Sequence, residues 1–170
     1  MTREGALTVM LAVAILLIGL MAWGWWRRSR RDSALAAPTG EPPTGARILA
    51  SIPGLYVATT AHGSSLERLA VKGLGFRSRV TVVVTDAGVA LDLAGEPRVF
   101  IPASRIVDVA QATVTIDRVV ERDGLTRLSW RIADDTVVDS FFRPQDVSAR
   151  ALAAAIEPLT SAAAPTGKDA

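Results

Sequence analysis

The chain has 170 residues, 49% hydrophobic and 21% charged, with no cysteine and a single histidine. That length holds one domain of ordinary size plus an anchor or tail. Without cysteine there is no disulfide framework, no thiolate nucleophile and no thiolate metal cage, and one imidazole does not build a metal centre, so neither a metal nor another cofactor is expected. The net charge of +2 is unevenly spread: Arg3, Arg27, Arg28, Arg30 and Arg31 face only Glu4 in the first 31 residues, while residues 48–160 hold 12 basic and 13 acidic side chains. A near-neutral body with interspersed charges lacks the basic face that a phosphate backbone requires, which excludes nucleic acid as the expected partner.

Residues 1–5 form a short tail, and residues 6–26 follow as 21 positions without a charge. As a helix at about 1.5 Å per residue, this run reaches about 31 Å, the thickness of a bilayer's hydrocarbon core. Nine of its residues are Leu, Ile or Val, which together favour insertion by about 3 to 5 kcal/mol. A soluble core helix shows a polar stripe, and this one is apolar on every face. Ala34-Leu35-Ala36 has the small-x-small form of a signal-peptidase site, but Arg27, Arg28, Arg30 and Arg31 stand between it and the apolar run, so retention as an anchor is expected. The same arginines orient the span, because flanking basic residues stay on the cytoplasmic side. Trp23, Trp25 and Trp26 precede them, at the level where indole rings prefer the headgroups. The expected topology is a single pass through the cytoplasmic membrane, N-terminus outside and C-terminal domain inside.

Residues 27–47 read as a basic juxtamembrane stretch followed, from 32, by a flexible Pro/Gly linker with no apolar period. The folded unit is then 48–160, and 161–170 is expected to fray. Within the unit the dominant period is two. Phe76, Ser78, Val80, Val82 and Val84 predict one face of a strand, with Arg77, Arg79 and Thr81 on the other. Asp86-Ala87-Gly88 supplies a hairpin turn, and Val89, Leu91 and Leu93 resume the alternation. Further strands are expected at 55–60, 68–72, 98–101, 106–120 with interruption, 125–132 and 136–142. Near the end the period changes. Val147, Ala151, Leu152, Ala155, Ile156 and Leu159 recur at helical spacing, with Pro144 in the first turn and Pro158 at the limit. About seven antiparallel strands followed by one helix make an α+β plan dominated by β structure, the helix covering an open end of a bent sheet.

The order of elements, the phrase Val84-Thr85-Asp86-Ala87-Gly88-Val89 and the later Ile101-Pro102-Ala103-Ser104-Arg105-Ile106-Val107-Asp108-Val109 resemble bacterial pleckstrin-homology-like (PH-like) domains. The layout is similar to that of small actinobacterial single-span membrane or export proteins. The resemblance implies a split barrel of two nearly perpendicular sheets closed by the C-terminal helix, and a binding or docking scaffold without catalysis. In eukaryotic relatives that bind phosphoinositides the first hairpin is basic, whereas Ala61-His62-Gly63-Ser64-Ser65-Leu66 has no Lys or Arg.

No constellation of catalytic type emerges. Ser64 and Ser65 beside His62 have no identifiable orienting acid, Asp134-Asp135 and Asp139 lack calcium-loop spacing, and Lys72-Gly73-Leu74-Gly75-Phe76 is not a phosphate loop. Neither enzymatic activity nor a small-molecule substrate is expected. Arg68, Lys72, Arg77 and Arg79, on two strands flanking a loop with Leu74 at its tip, are either a patch for lipid or a partner, or a solvated strand face. The functional expectation is a membrane-anchored adaptor whose domain binds a protein partner or the bilayer; the alternative is an accessory subunit of a transport or export system. The topology is checked by reporters fused after Ala170: a cytoplasm-dependent reporter should be active there and a periplasm-dependent one silent, and the reverse pattern would refute the orientation.

Overall fold

The structure is a computed structural model that describes residues 3–32, 35–64, 68–115, 118–119 and 124–162. The chain divides into two compact units, Met1–Ala34 and Leu35–Ala170. The first holds one helix, α1 (Arg3–Asp32). Its Val9–Arg27 window has a mean hydropathy of 2.1 and no buried residue, so it is long and apolar enough to cross a membrane.

The second unit is built from β1 (Ile48–Ala61), β2 (Ser78–Thr85), β3 (Gly88–Leu93), β4 (Val99–Pro102), β5 (Ile106–Ala112), the short pair β6 (Val114–Thr115) and β7 (Arg118–Val119), β8 (Leu125–Ala133), β9 (Thr136–Pro144) and α2 (Ala149–Ala162). Seven strands form one antiparallel sheet in the order β4-β3-β2-β1-β9-β8-β5. The two sheets implied by the family resemblance are therefore joined in one hydrogen-bonded ladder. β1 makes the junction, pairing with β2 over its first half and with β9 over its second, and its register shifts between Tyr56 and Ala58. A bulge adds local twist and bends a strand, which lets one long strand serve both halves. Alternation buries Ile52, Tyr56, Val80, Val82, Val84, Leu91, Trp130 and Phe142 on the inner face, where Leu152, Ile156 and Leu159 of α2 complete the core.

The β2–β3 turn owes its tightness to Thr85 and Gly88. The buried Thr85 hydroxyl accepts from the Gly88 N–H at 3.1 Å and donates to the Gly88 carbonyl at 2.9 Å. A Cβ on Gly88 would lie 2.3 Å from the Ile101 carbonyl oxygen, so β4 packs where only glycine leaves room. Ile101-Pro102 ends β4, since proline cannot donate to a ladder, and a 3-10 turn at Ala103–Arg105 carries the chain into β5.

Four expectations are corrected. The linker is not free over 35–41: the Phe100 N–H donates to the Pro38 carbonyl, the Gly40 N–H to the Arg98 carbonyl, and the Ala37 N–H to the Lys72 carbonyl, with Ala37 buried in the core. Proline and glycine depress helix and strand propensity, but an extended segment still supplies carbonyls to an open edge, and β4 is such an edge. Residues 68–72 are not a strand and make only isolated bridges, Thr60 with Arg68 and Ala36 with Lys72. β2 begins at Ser78, leaving Phe76 outside the ladder and exposed. Pro144 ends β9 instead of opening α2, whose first turn is capped by the Ser148 hydroxyl accepting from the Ala151 N–H; Pro158 lies inside α2, which the buried Leu159 holds to the sheet beyond it.

Gly88→Ala is expected to lower the unfolding free energy of the full chain in detergent by about 3 kcal/mol. Gly40→Ala, where an added Cβ meets nothing within 4 Å, should change it little. Thermal melts followed by near-ultraviolet circular dichroism check the pair.

Candidate functional site

In α1, Trp23, Trp25 and Trp26 are exposed and the Arg27 guanidinium lies 5.6 Å from the Trp23 ring centroid, within cation–π range. Arg28, Arg30 and Arg31 continue the helical backbone, and their side chains lie outside the described residues.

The five residues expected to form a patch do not share one surface. Leu74 is only 1% exposed, not a tip. Its carbonyl accepts from the Tyr56 hydroxyl at 2.7 Å. Arg68 is half-buried and closes the loop by donating to the Gly75 carbonyl at 2.9 Å. Leu69 and Val71 point into the core beside Leu74, which is why a strand-like apolar spacing occurs without a strand. Lys72, Arg77 and Arg79 remain exposed, and no side-chain partner holds them among the described residues. The tip belongs to Phe76, 85% exposed. Extending the alternation of β2 back by two residues assigned it to the core; the signal that identifies it is its place in a Gly-Leu-Gly-Phe-Arg turn.

Phe76 stands on the rim of a cleft of about 250 Å³ lined also by Gly73, Arg77, Leu93, Ala94 and Glu96. A second cleft of about 370 Å³ shares Leu93 and Ala94 and is lined by Pro53, Gly54, Arg79, Thr81, Asp92 and Gln145. The two therefore adjoin along the end of β3. Asp92 is engaged by the Arg98 guanidinium through both carboxylate oxygens, and the same guanidinium reaches Glu41 of the docked 35–41 segment, which forms a strap along the edge of the sheet. The contacts with Asp92 and Glu41 raise the Arg98 pKa further, so this clasp keeps its charge throughout the physiological range.

Beneath the site runs a buried relay. The Trp130 Nε1–H donates to Ser140 Oγ at 2.9 Å, and Ser140 Oγ and Thr59 Oγ1 are 2.8 Å apart. Tyr56 has one hydroxyl proton, and the Leu74 carbonyl only accepts, so that proton goes to Leu74. Thr59, 2.9 Å away, then donates to the phenol oxygen and receives from Ser140. Burial pushes the Tyr56 pKa up to about 12, against a lowering by Thr59. All four side chains are fully buried and paired, a network that locks the 68–75 loop onto β1.

On the opposite face His62 has an orienting acid, contrary to expectation. Its Nδ1 lies 2.9 Å from Asp139 Oδ1, which also accepts from Ser129 Oγ at 2.6 Å, while Oδ2 accepts from the Gly63 N–H at 3.2 Å. Ser129 is bonded to the carboxylate and not to the imidazole, so these contacts lack the nucleophile–base link of a triad. They fasten the start of the 62–77 loop to β9. Ser65 lies outside the described residues, and among those described no three His, Asp or Glu side chains converge on a metal position.

A helix long and apolar enough to cross a membrane, a mainly-β scaffold and an exposed aromatic beside a cleft fit a membrane protein with a binding module. The chain belongs to the Bacterial PH domain-like family, whose model matches residues 34–157. The match takes in the whole 35–41 segment that is hydrogen-bonded to the domain. No curated protein matches the chain. Among solved structures it is similar to the C-terminal domain of an unknown protein from Leishmania infantum, at 14% identity and a TM-score of 0.44, over 81% of this chain and 97% of that one.

Burial raises the Asp139 pKa, but the hydrogen bonds from Ser129, His62 and Gly63 outweigh it and hold the group below its usual value. The folded state thus favours the carboxylate. Its stabilisation is present above the unfolded pKa of about 3.9 and is lost as pH falls through the lower folded value. The unfolding free energy should therefore drop between about pH 5 and pH 2 more steeply in the native chain than in Asp139→Asn, as read by denaturant titration at each pH; equal slopes would refute the assignment.

Proposed function

We propose that this protein is a single-span membrane protein whose PH-like domain is a non-catalytic docking module that holds a protein partner at the membrane. The observation that carries this reading is Phe76: an aromatic ring left 85% exposed beside two adjoining clefts and next to Arg77 and Arg79, which have no side-chain partner among the described residues. Burying such a ring is worth about 1.5 to 3 kcal/mol, and aromatic residues with arginine are the side chains that concentrate binding energy at protein interfaces. The rim favours a protein over a purely anionic surface because Glu96 and Asp92 stand among the arginines, giving a mixed-sign border.

The anchor's contribution is concentration. A spanning α1 in the same chain would confine the domain to the membrane and raise its effective concentration toward a membrane-bound partner.

Crosslinking followed by affinity purification of the full chain from native membranes tests the proposal. Phe76→Ser should lose at least about tenfold of a specifically crosslinked partner while the thermal melt is unchanged. Replacing residues 6–26 with an unrelated span should leave that partner in place. Retention in Phe76→Ser would refute the site, and loss on span replacement would favour an accessory subunit of a membrane complex.

A further inference from the structure

The register of the sheet places two arginines on one face with an apolar residue between them. Arg79 of β2 is directly opposite Leu55 of β1, and Leu55 is directly opposite Arg143 of β9. Residues opposite one another across a ladder project to the same side. Their chain neighbours Tyr56, Val80 and Phe142 are buried in the core, so Arg79, Leu55 and Arg143 point outward. With strands about 4.8 Å apart, the two arginine Cα atoms are about 10 Å from each other. Neither guanidinium has an acidic partner among the described residues, and Arg77 adds a third unpaired cation at the head of β2. Asp92 of β3 is across from Thr81 and already engaged by Arg98. The cleft beside this row has Gly54 in its lining, where a Cβ would lie 2.6 Å from the Arg143 carbonyl oxygen, and Thr81 and Gln145 supply neutral polar groups.

We infer that this row receives an extended acidic segment of the partner protein, of the form acid-x-apolar-x-acid, with the carboxylates on Arg79 and Arg143 and the apolar side chain over Leu55. The inference rests on the docking reading above and names the chemistry of what docks. In an extended chain, residues four apart lie about 13 Å from each other on one side, with the middle residue on that same side between them. Two long arginine side chains splaying outward from about 10 Å meet that spacing, and the planar guanidinium fork matches a carboxylate through two parallel hydrogen bonds. Two unpaired cations on one face are also the arrangement that selects for acidic partners by repelling basic ones.

The probe is the peptide acetyl-Glu-Ser-Leu-Ser-Glu-amide, titrated into the isotope-labelled full chain in nanodiscs of phosphatidylcholine alone. Amide shifts should move at Gly54, Leu55, Arg79, Val80, Thr81, Arg143 and Gln145, weaken as salt rises, and be at least about tenfold less sensitive to peptide in Arg79→Gln/Arg143→Gln. Circular dichroism shows whether that variant retains the native fold, and Arg79→Lys, which keeps the charge and loses the fork, should fall in between. No movement, or equal movement with the lysine counterpart of the peptide, would overturn the inference. So would the same residues shifting without peptide when phosphatidylglycerol is added to the disc, which would assign the face to lipid. In the crosslinking experiment, a partner lost from Phe76→Ser but kept by the double arginine variant would sink the acidic segment and leave the docking reading standing. A partner kept by both would sink the docking reading itself.

Discussion

β1 is hydrogen-bonded along both edges, to β2 and to β9, and the rest of the domain depends on that shared strand. A strand of 14 residues cannot run flat between two halves of a small bent sheet, and the register shift after Tyr56 is where it turns. Just before the shift, Gly54 lets the backbone of β9 come close enough that any side chain would collide. Close by, Tyr56 sends its hydroxyl inward to the Leu74 carbonyl, and Leu55 sends its side chain outward between two arginines. Three consecutive residues of one strand thus set the crossing, the loop anchor and the centre of the exposed row.

From this constraint follows a division between the two faces. Inward, hydroxyls and the indole N–H form a closed relay in which every donor has an acceptor, so the buried polar groups cost little and fix the 68–75 loop. Outward, Asp139 gathers Ser129, His62 and the Gly63 N–H, fastening the other end of the loop that begins after β1. A loop secured at its base and across its middle can expose Phe76 without collapsing onto it.

The strap performs the equivalent task for the sheet edge. An open strand such as β4 is a template for unwanted pairing, and residues 35–41 occupy it with hydrogen bonds from Phe100 and Gly40 and with the Arg98 clasp on Glu41. The part of the chain that follows α1 is thus a structural piece of the domain.

Patterns that depend on one segment alone were legible in the amino-acid order. The charge-free run of 6–26, the β2–β3 hairpin with its Thr85 and Gly88, the later strands and the amphipathic α2 all follow from local periodicity, turn chemistry and length. Contacts between distant segments decided the remainder. Leu74 turned inward because Tyr56, 18 residues earlier, offers a hydrogen bond to its carbonyl. Residues 35–41 were held because β4, some 60 residues on, left an edge to pair. His62 found its acid at Asp139, 77 residues away. Arg143 joined Arg79 through the ladder register, which no spacing along the chain encodes. Periodicity reports which face of an element prefers to be dry; only the folded chain decides which neighbour covers it, and therefore which side chains are left for a partner.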